Sequence, residues 1–75
     1  MDTTATKTRE REIIVNGQPL ATAARTLADL VDEQGFAGVK VATAVNGDFV
    51  AERLRAGTSL ETGDRIEILT VRQGG

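Results

Sequence analysis

A chain of 75 residues with a net charge of −2 and only two aromatics, Phe36 and Phe49, is expected to form one small domain around an aliphatic core. Folding at this size buries only about 60% of the unfolded surface, which argues against a deep substrate cavity. With no Cys and no His, the chain has no thiol nucleophile, imidazole base, disulfide or Cys-based metal site.

Residues 1–10 are polar, Thr-rich and lack apolar periodicity, and read as a disordered tail. Lys7, Arg9 and Arg11 balance Asp2, Glu10 and Glu12, so the charge of −2 belongs to the remainder of the chain. That remainder shows no basic stripe or aromatic stacking platform, which argues against nucleic acid as a partner. No apolar run approaches the ~18 residues of a membrane span, and no signal-peptide pattern opens the chain. The expected compartment is the cytoplasm.

The predicted domain covers residues 11–71. Residues 12–15 are a short β-type run, and Asn16-Gly17 after them is the strongest short hairpin signal. Residues 18–22 read as the return strand, with Leu20 toward the core. A helix follows: Thr26 is the N-cap, Asp29 completes a weak capping box, and Leu27, Leu30 and Val31 share one face. Gly35 ends this helix of about ten residues as a C′ glycine does.

Residues 40–46 form the next strand, with Val41, Thr43 and Val45 alternating against Ala42 and Ala44. Asn46-Gly47 turns the chain again, and residues 48–50 pair back. Residues 52–58 are polar and read as a loop or a single helical turn. Leu60 anchors the approach to a Gly63-Asp64 turn. Residues 65–71 are the last strand, with Ile66 and Ile68 on the buried face. Leu69 and Val71 have the opposite parity and fall on the other face, where an apolar patch marks a partner site. The order predicts an α+β domain: a mixed four- to five-stranded sheet packed on one helix.

The chain closes on Gly74-Gly75. Without a histidine or cysteine, the distinctive reactive group is the terminal carboxylate, and two residues lacking Cβ let it enter a narrow enzyme channel. The plain alternative is a frayed terminus. Arg72 and Gln73 complete a flexible arm, residues 72–75, for partner enzymes to grip. The carboxylates Asp48, Glu52, Glu61, Asp64 and Glu67 are dispersed and read as solvated surface. They suggest neither a catalytic pair nor a metal site, and no catalytic residue is assigned.

Ile14-Val15-Asn16-Gly17, Val45-Asn46-Gly47 with Phe49-Val50, the run from Leu60 through Gly63-Asp64 to Ile66-Glu67-Ile68, and Gly74-Gly75 together resemble the ThiS family, the sulfur carriers of thiamine biosynthesis. The resemblance covers about residues 12–75 and implies the β-grasp, ubiquitin-like fold. It further implies that the chain is a co-substrate of other enzymes and binds no cofactor of its own. A ThiF-type, E1-like adenylating enzyme would use ATP and Mg²⁺ to activate the Gly75 carboxylate. A persulfide on a sulfurtransferase or cysteine desulfurase would then supply sulfur, and the Gly75 thiocarboxylate would pass it to thiazole synthase. Leu69 and Val71 would serve docking, and the free chain is expected to be monomeric.

Three alternatives stay open. One is the small subunit of molybdopterin synthase, a related diglycine carrier. Its members have more aromatic first strands and a proline before the glycines, where this chain has Thr70-Val71-Arg72-Gln73. The second is a ubiquitin-like modifier conjugated to lysines. The third is a binding module with an incidental diglycine.

Overall fold

The computed structural model describes residues 10–71. Five strands, one α-helix and one 3-10 helix follow in the order β1 (Arg11–Val15), β2 (Gln18–Thr22), α1 (Leu27–Glu33), β3 (Val41–Val45), β4 (Asp48–Val50), η1 (Glu52–Gly57) and β5 (Arg65–Thr70). The strands form one sheet in the order β2-β1-β5-β3-β4. The last strand in sequence is therefore the central one. It pairs parallel to β1 and antiparallel to β3, so the sheet is mixed. Residues 1–9 of the predicted tail at 1–10, and the whole of the predicted arm at 72–75, lie outside the described residues.

Both Asn-Gly pairs make the hairpins they predict. Asn16 and Asn46 sit at φ 51° and 52°, and Gly17 and Gly47 at 83° and 89°. Two successive positive φ values define the type I′ turn, whose twist matches that of the strands it joins. β1 then pairs with β2 from Arg11↔Thr22 to Val15↔Gln18, and β3 with β4 from Thr43↔Val50 to Val45↔Asp48. Pro19 stands on the edge strand β2, where a missing N–H is tolerated.

The helix is shorter than its sequence suggests, seven residues rather than about ten. Its start is as predicted: the Asp29 N–H donates to Thr26 Oγ1 at 3.2 Å. Its end explains the difference. The Gly35 N–H donates to the Asp32 carbonyl at 3.0 Å and the Phe36 N–H to the Val31 carbonyl at 3.1 Å. This is the Schellman pair of bonds, with Gly35 at φ 90° as the left-handed C′ residue. Gln34 is thus the cap and the helix closes at Glu33.

Leu27, Leu30 and Val31 from α1 bury against Ile13 and Val15 of β1, Val41 of β3, and Ile66 and Ile68 of β5, with Leu60 closing the layer. Leu20 is half-buried and packs on the margin of this core. The chain after η1 is tied to the helix start: the Leu27 N–H donates to the Thr58 carbonyl at 2.9 Å and the Leu60 N–H to the Arg25 carbonyl at 3.0 Å. All the apolar burial is on one side of the sheet, which leaves the other face open.

Candidate functional site: the open sheet face at the end of the central strand

Residue parity sorts β5 into two faces. Ile66 and Ile68 point to the helix, while Arg65, Glu67 and Leu69 point away from it. Leu69 is 62% exposed, and Val71, the next residue of that parity, is 42% exposed. Val71 lies one residue past the strand, yet its N–H still donates to the Lys40 carbonyl at 3.1 Å. The backbone is therefore held in the sheet up to the last described residue.

The register identifies what surrounds Leu69. Its partner on β3 is Ala42, and Glu67 pairs with Ala44. Ala44 in turn faces Phe49 of β4, and Phe49 is 72% exposed. Two alanines thus form a low floor between two large exposed side chains. With strands about 4.8 Å apart, Phe49 and Leu69 stand about 12 Å from each other. Ile14 is not beside Leu69: its partner on β5 is Arg65, at the opposite end of the strand. Sequence parity finds Leu69 and Val71. It does not single out Phe49, because a lone aromatic in a three-residue strand reads equally well as core. The signal lies in its register against Ala44.

The strand that carries this face is fixed by the two turn asparagines. The Ile68 N–H donates to Asn16 Oδ1 at 2.9 Å, and Asn16 Nδ2 donates to the Ile68 carbonyl at 3.1 Å. On the other side of β5, the Arg65 N–H donates to Asn46 Oδ1 at 2.9 Å and the Asn46 N–H to the Arg65 carbonyl at 2.7 Å. An Asn side chain is a primary amide, so it presents a donor and an acceptor much as a peptide group does. Asn16 extends the parallel ladder by one rung past the point where β1 turns away.

Asp64 holds the turn before β5, accepting from the Glu61 N–H at 2.8 Å and from Asn46 Nδ2 at 3.0 Å. Among the described residues, no cluster of three or more His, Cys, Asp or Glu is placed to hold a metal. No helix of the described residues is long and apolar enough to cross a membrane. Of the residues assigned to the site, Leu69 and Val71 come together on the open face, whereas Arg72, Gln73, Gly74 and Gly75 lie outside the described residues.

A helix laid across one face of a mixed sheet, whose central strand is the last in sequence and leads straight into the terminal residues, defines a ubiquitin-like β-grasp domain. The ThiS family model matches residues 8–75, so the chain belongs to the ThiS family, small β-grasp sulfur carriers. The match begins a few residues earlier than the sequence motifs suggest and runs through both terminal glycines. Among solved structures, the chain is similar to the crystal structure of the thiamine biosynthesis protein ThiS from Geobacter metallireducens. The two share 25% identity over 85% of this chain and 99% of that one, with a TM-score of 0.71. No match is found among curated proteins.

Proposed function

We propose that this protein carries sulfur for the thiazole ring of thiamine as a thiocarboxylate on Gly75. It acts as the co-substrate of partner enzymes and supplies no catalytic side chain. The observation that carries the reading is the ThiS family match extending through Gly74-Gly75. The fold supports it, because the central strand delivers the chain to the rim of an open apolar face.

A carboxylate resists nucleophilic attack until one oxygen becomes part of a good leaving group. In the proposed cycle a Gly75 oxygen attacks the α-phosphorus of ATP on a ThiF-type enzyme. Pyrophosphate leaves and an acyl-adenylate remains, with Mg²⁺ offsetting the phosphate charge. The terminal sulfur of a persulfide, on a sulfurtransferase or cysteine desulfurase, attacks the acyl carbon and displaces AMP. A second thiol then cleaves the S–S bond. That thiol is oxidised to a disulfide, and Gly75 keeps the sulfur as a thiocarboxylate. Thiazole synthase takes this sulfur.

Chain length constrains where these enzymes sit. Gly75 is four residues beyond Val71, a stretch that spans at most about 14 Å when extended. An active site that receives Gly75 therefore lies within that radius of Val71, and the exposed apolar side chains of Leu69, Val71 and Phe49 are the surface within reach on which its enzyme would dock. Arg72 and Gln73 cross the entrance, and Gly74 gives clearance.

The pathway is tested by offering the thiocarboxylated protein separately to thiazole synthase and to the large subunit of molybdopterin synthase. Sulfur transfer to the thiazole product alone is the expected result. Transfer only in the molybdopterin reaction would overturn the thiamine assignment while leaving the carrier role intact.

A further inference from the structure

Arg55, in η1, is only 8% exposed and has no carboxylate among its hydrogen-bond partners. Its Nε–H donates to Thr43 Oγ1 at 2.9 Å and its Nη2 to the Val41 carbonyl at 2.7 Å. The Thr43 hydroxyl donates to the Val50 carbonyl at 2.7 Å, so its oxygen is free to accept from Arg55. A guanidinium has five N–H groups. Those not used in these two bonds have no protein acceptor among the described residues. A buried cation whose hydrogen-bond acceptors are all neutral oxygens is an unusual arrangement, because taking a charge out of water is costly unless hydrogen bonds and opposite charge replace the lost hydration.

Arg55 also lines a cavity of about 300 Å³ between the end of α1, the start of β3 and η1. Val31 and Phe36 supply apolar wall, and Asp32, Lys40 and Glu52 supply charge. The sheet face described above is on the other side of the molecule, so this cavity is separate from it. We propose that the cavity is a binding site for a small monocarboxylate, seated on the uncommitted N–H groups of Arg55 with its aliphatic body against Val31 and Phe36. A planar carboxylate matches the guanidinium fork, which can donate to both oxygens. Asp32 and Glu52 offset the charge of Arg55 and Lys40 in the same lining, so each added negative charge on a ligand is repelled further and a phosphate dianion is disfavoured relative to a monocarboxylate. Lys40 adds the attraction that draws an anion to the mouth. The ligand is either a free small molecule or the side-chain carboxylate of an Asp or Glu on a partner protein. The proposal is independent of the carrier cycle.

The experiment is NMR on the full chain, labelled with ¹⁵N and titrated with isovalerate, with inorganic phosphate and sodium chloride as parallel series. Isovalerate should produce a saturable shift of the Arg55 Nε–H resonance and of the Lys40 and Val41 amides, at an affinity at least fivefold tighter than phosphate. Arg55→Met should weaken it at least tenfold. Lys40→Glu on the exposed rim should weaken it at least threefold, which keeps the test decisive if Arg55→Met fails to fold. No saturable shift with isovalerate, the same response with chloride, tighter binding of phosphate, or unchanged affinity in folded variants would each overturn the proposal. Adding the cognate adenylating enzyme separates the sources. Competition between isovalerate and complex formation assigns the carboxylate to the partner, and undisturbed complex formation with isovalerate bound assigns it to a free ligand.

Discussion

Asn16 does three things at once. It adopts the left-handed backbone that opens a type I′ turn, it accepts from the Ile68 N–H, and it donates to the Ile68 carbonyl. Asn pays less for positive φ than other residues with a Cβ, and only an amide offers both bonds. Asn16→Ala is therefore expected to destabilise the fold by about 2–3 kcal/mol, combining a left-handed penalty with two lost bonds on a partly buried strand. Asn16→Asp keeps the acceptor and loses the donor, so it should cost about half as much. Urea denaturation of the two variants checks this. A cost confined to Asn16→Ala, with Asn16→Asp as stable as the parent, would show that the turn geometry, and not the donor half of the side-chain bridge, is what matters. The Asn-Gly pairs are plain in the sequence as turns. The bridge is not, because it joins residues 52 positions apart, and spacing along the chain says nothing about which strand will lie beside the turn. Arg55 was hidden for the same reason. In a polar stretch its charge reads as solvated, and only the packing of η1 against β3 buries it.

At the scale of the element, α1 and β5 show which local signals survive folding. The N-cap at Thr26, the buried stripe of Leu27, Leu30 and Val31, and the C′ glycine at Gly35 all stand where the sequence places them. Helix length was the weaker inference, since the Schellman closure consumes the last residues that a periodic reading assigns to the helix. Thr26→Ala should lower stability by about 1 kcal/mol, measured as a shift in denaturation midpoint with unchanged slope. β5 is legible in its parity, yet its central place in the sheet is not, because parallel pairing with β1 is a contact between opposite ends of the chain. Its open face leads to a functional prediction. Phe49→Asp and Leu69→Asp are each expected to reduce adenylation of the protein by about 30-fold at limiting concentration, the effect of losing about 2 kcal/mol at an interface anchor. Exposed positions should tolerate the change with little loss of thermal stability. Unchanged adenylation in both variants would move the docking surface away from this face.

Across the whole molecule, a thin core and two sheet edges must be reconciled with one exposed apolar face. The edges are managed by a proline on β2 and by the brevity of β4, three residues long, both of which discourage strand addition by neighbours. The buried core is closed between Ile13 and Ile68. Removing Gly75 is accordingly expected to shift the melting temperature by less than about 2 °C while abolishing sulfur transfer. The central proposal is this division of labour, in which the folded body would recognise and present and the terminal carboxylate would be the reacting group. The most direct test is the intact mass of the purified protein after incubation with ATP, Mg²⁺, a persulfide donor and the cognate adenylating enzyme. The account predicts a mass gain equal to the exchange of one oxygen for one sulfur, localised to Gly75. An unchanged mass with a demonstrably active enzyme, or a gain localised anywhere else on the chain, would contradict it.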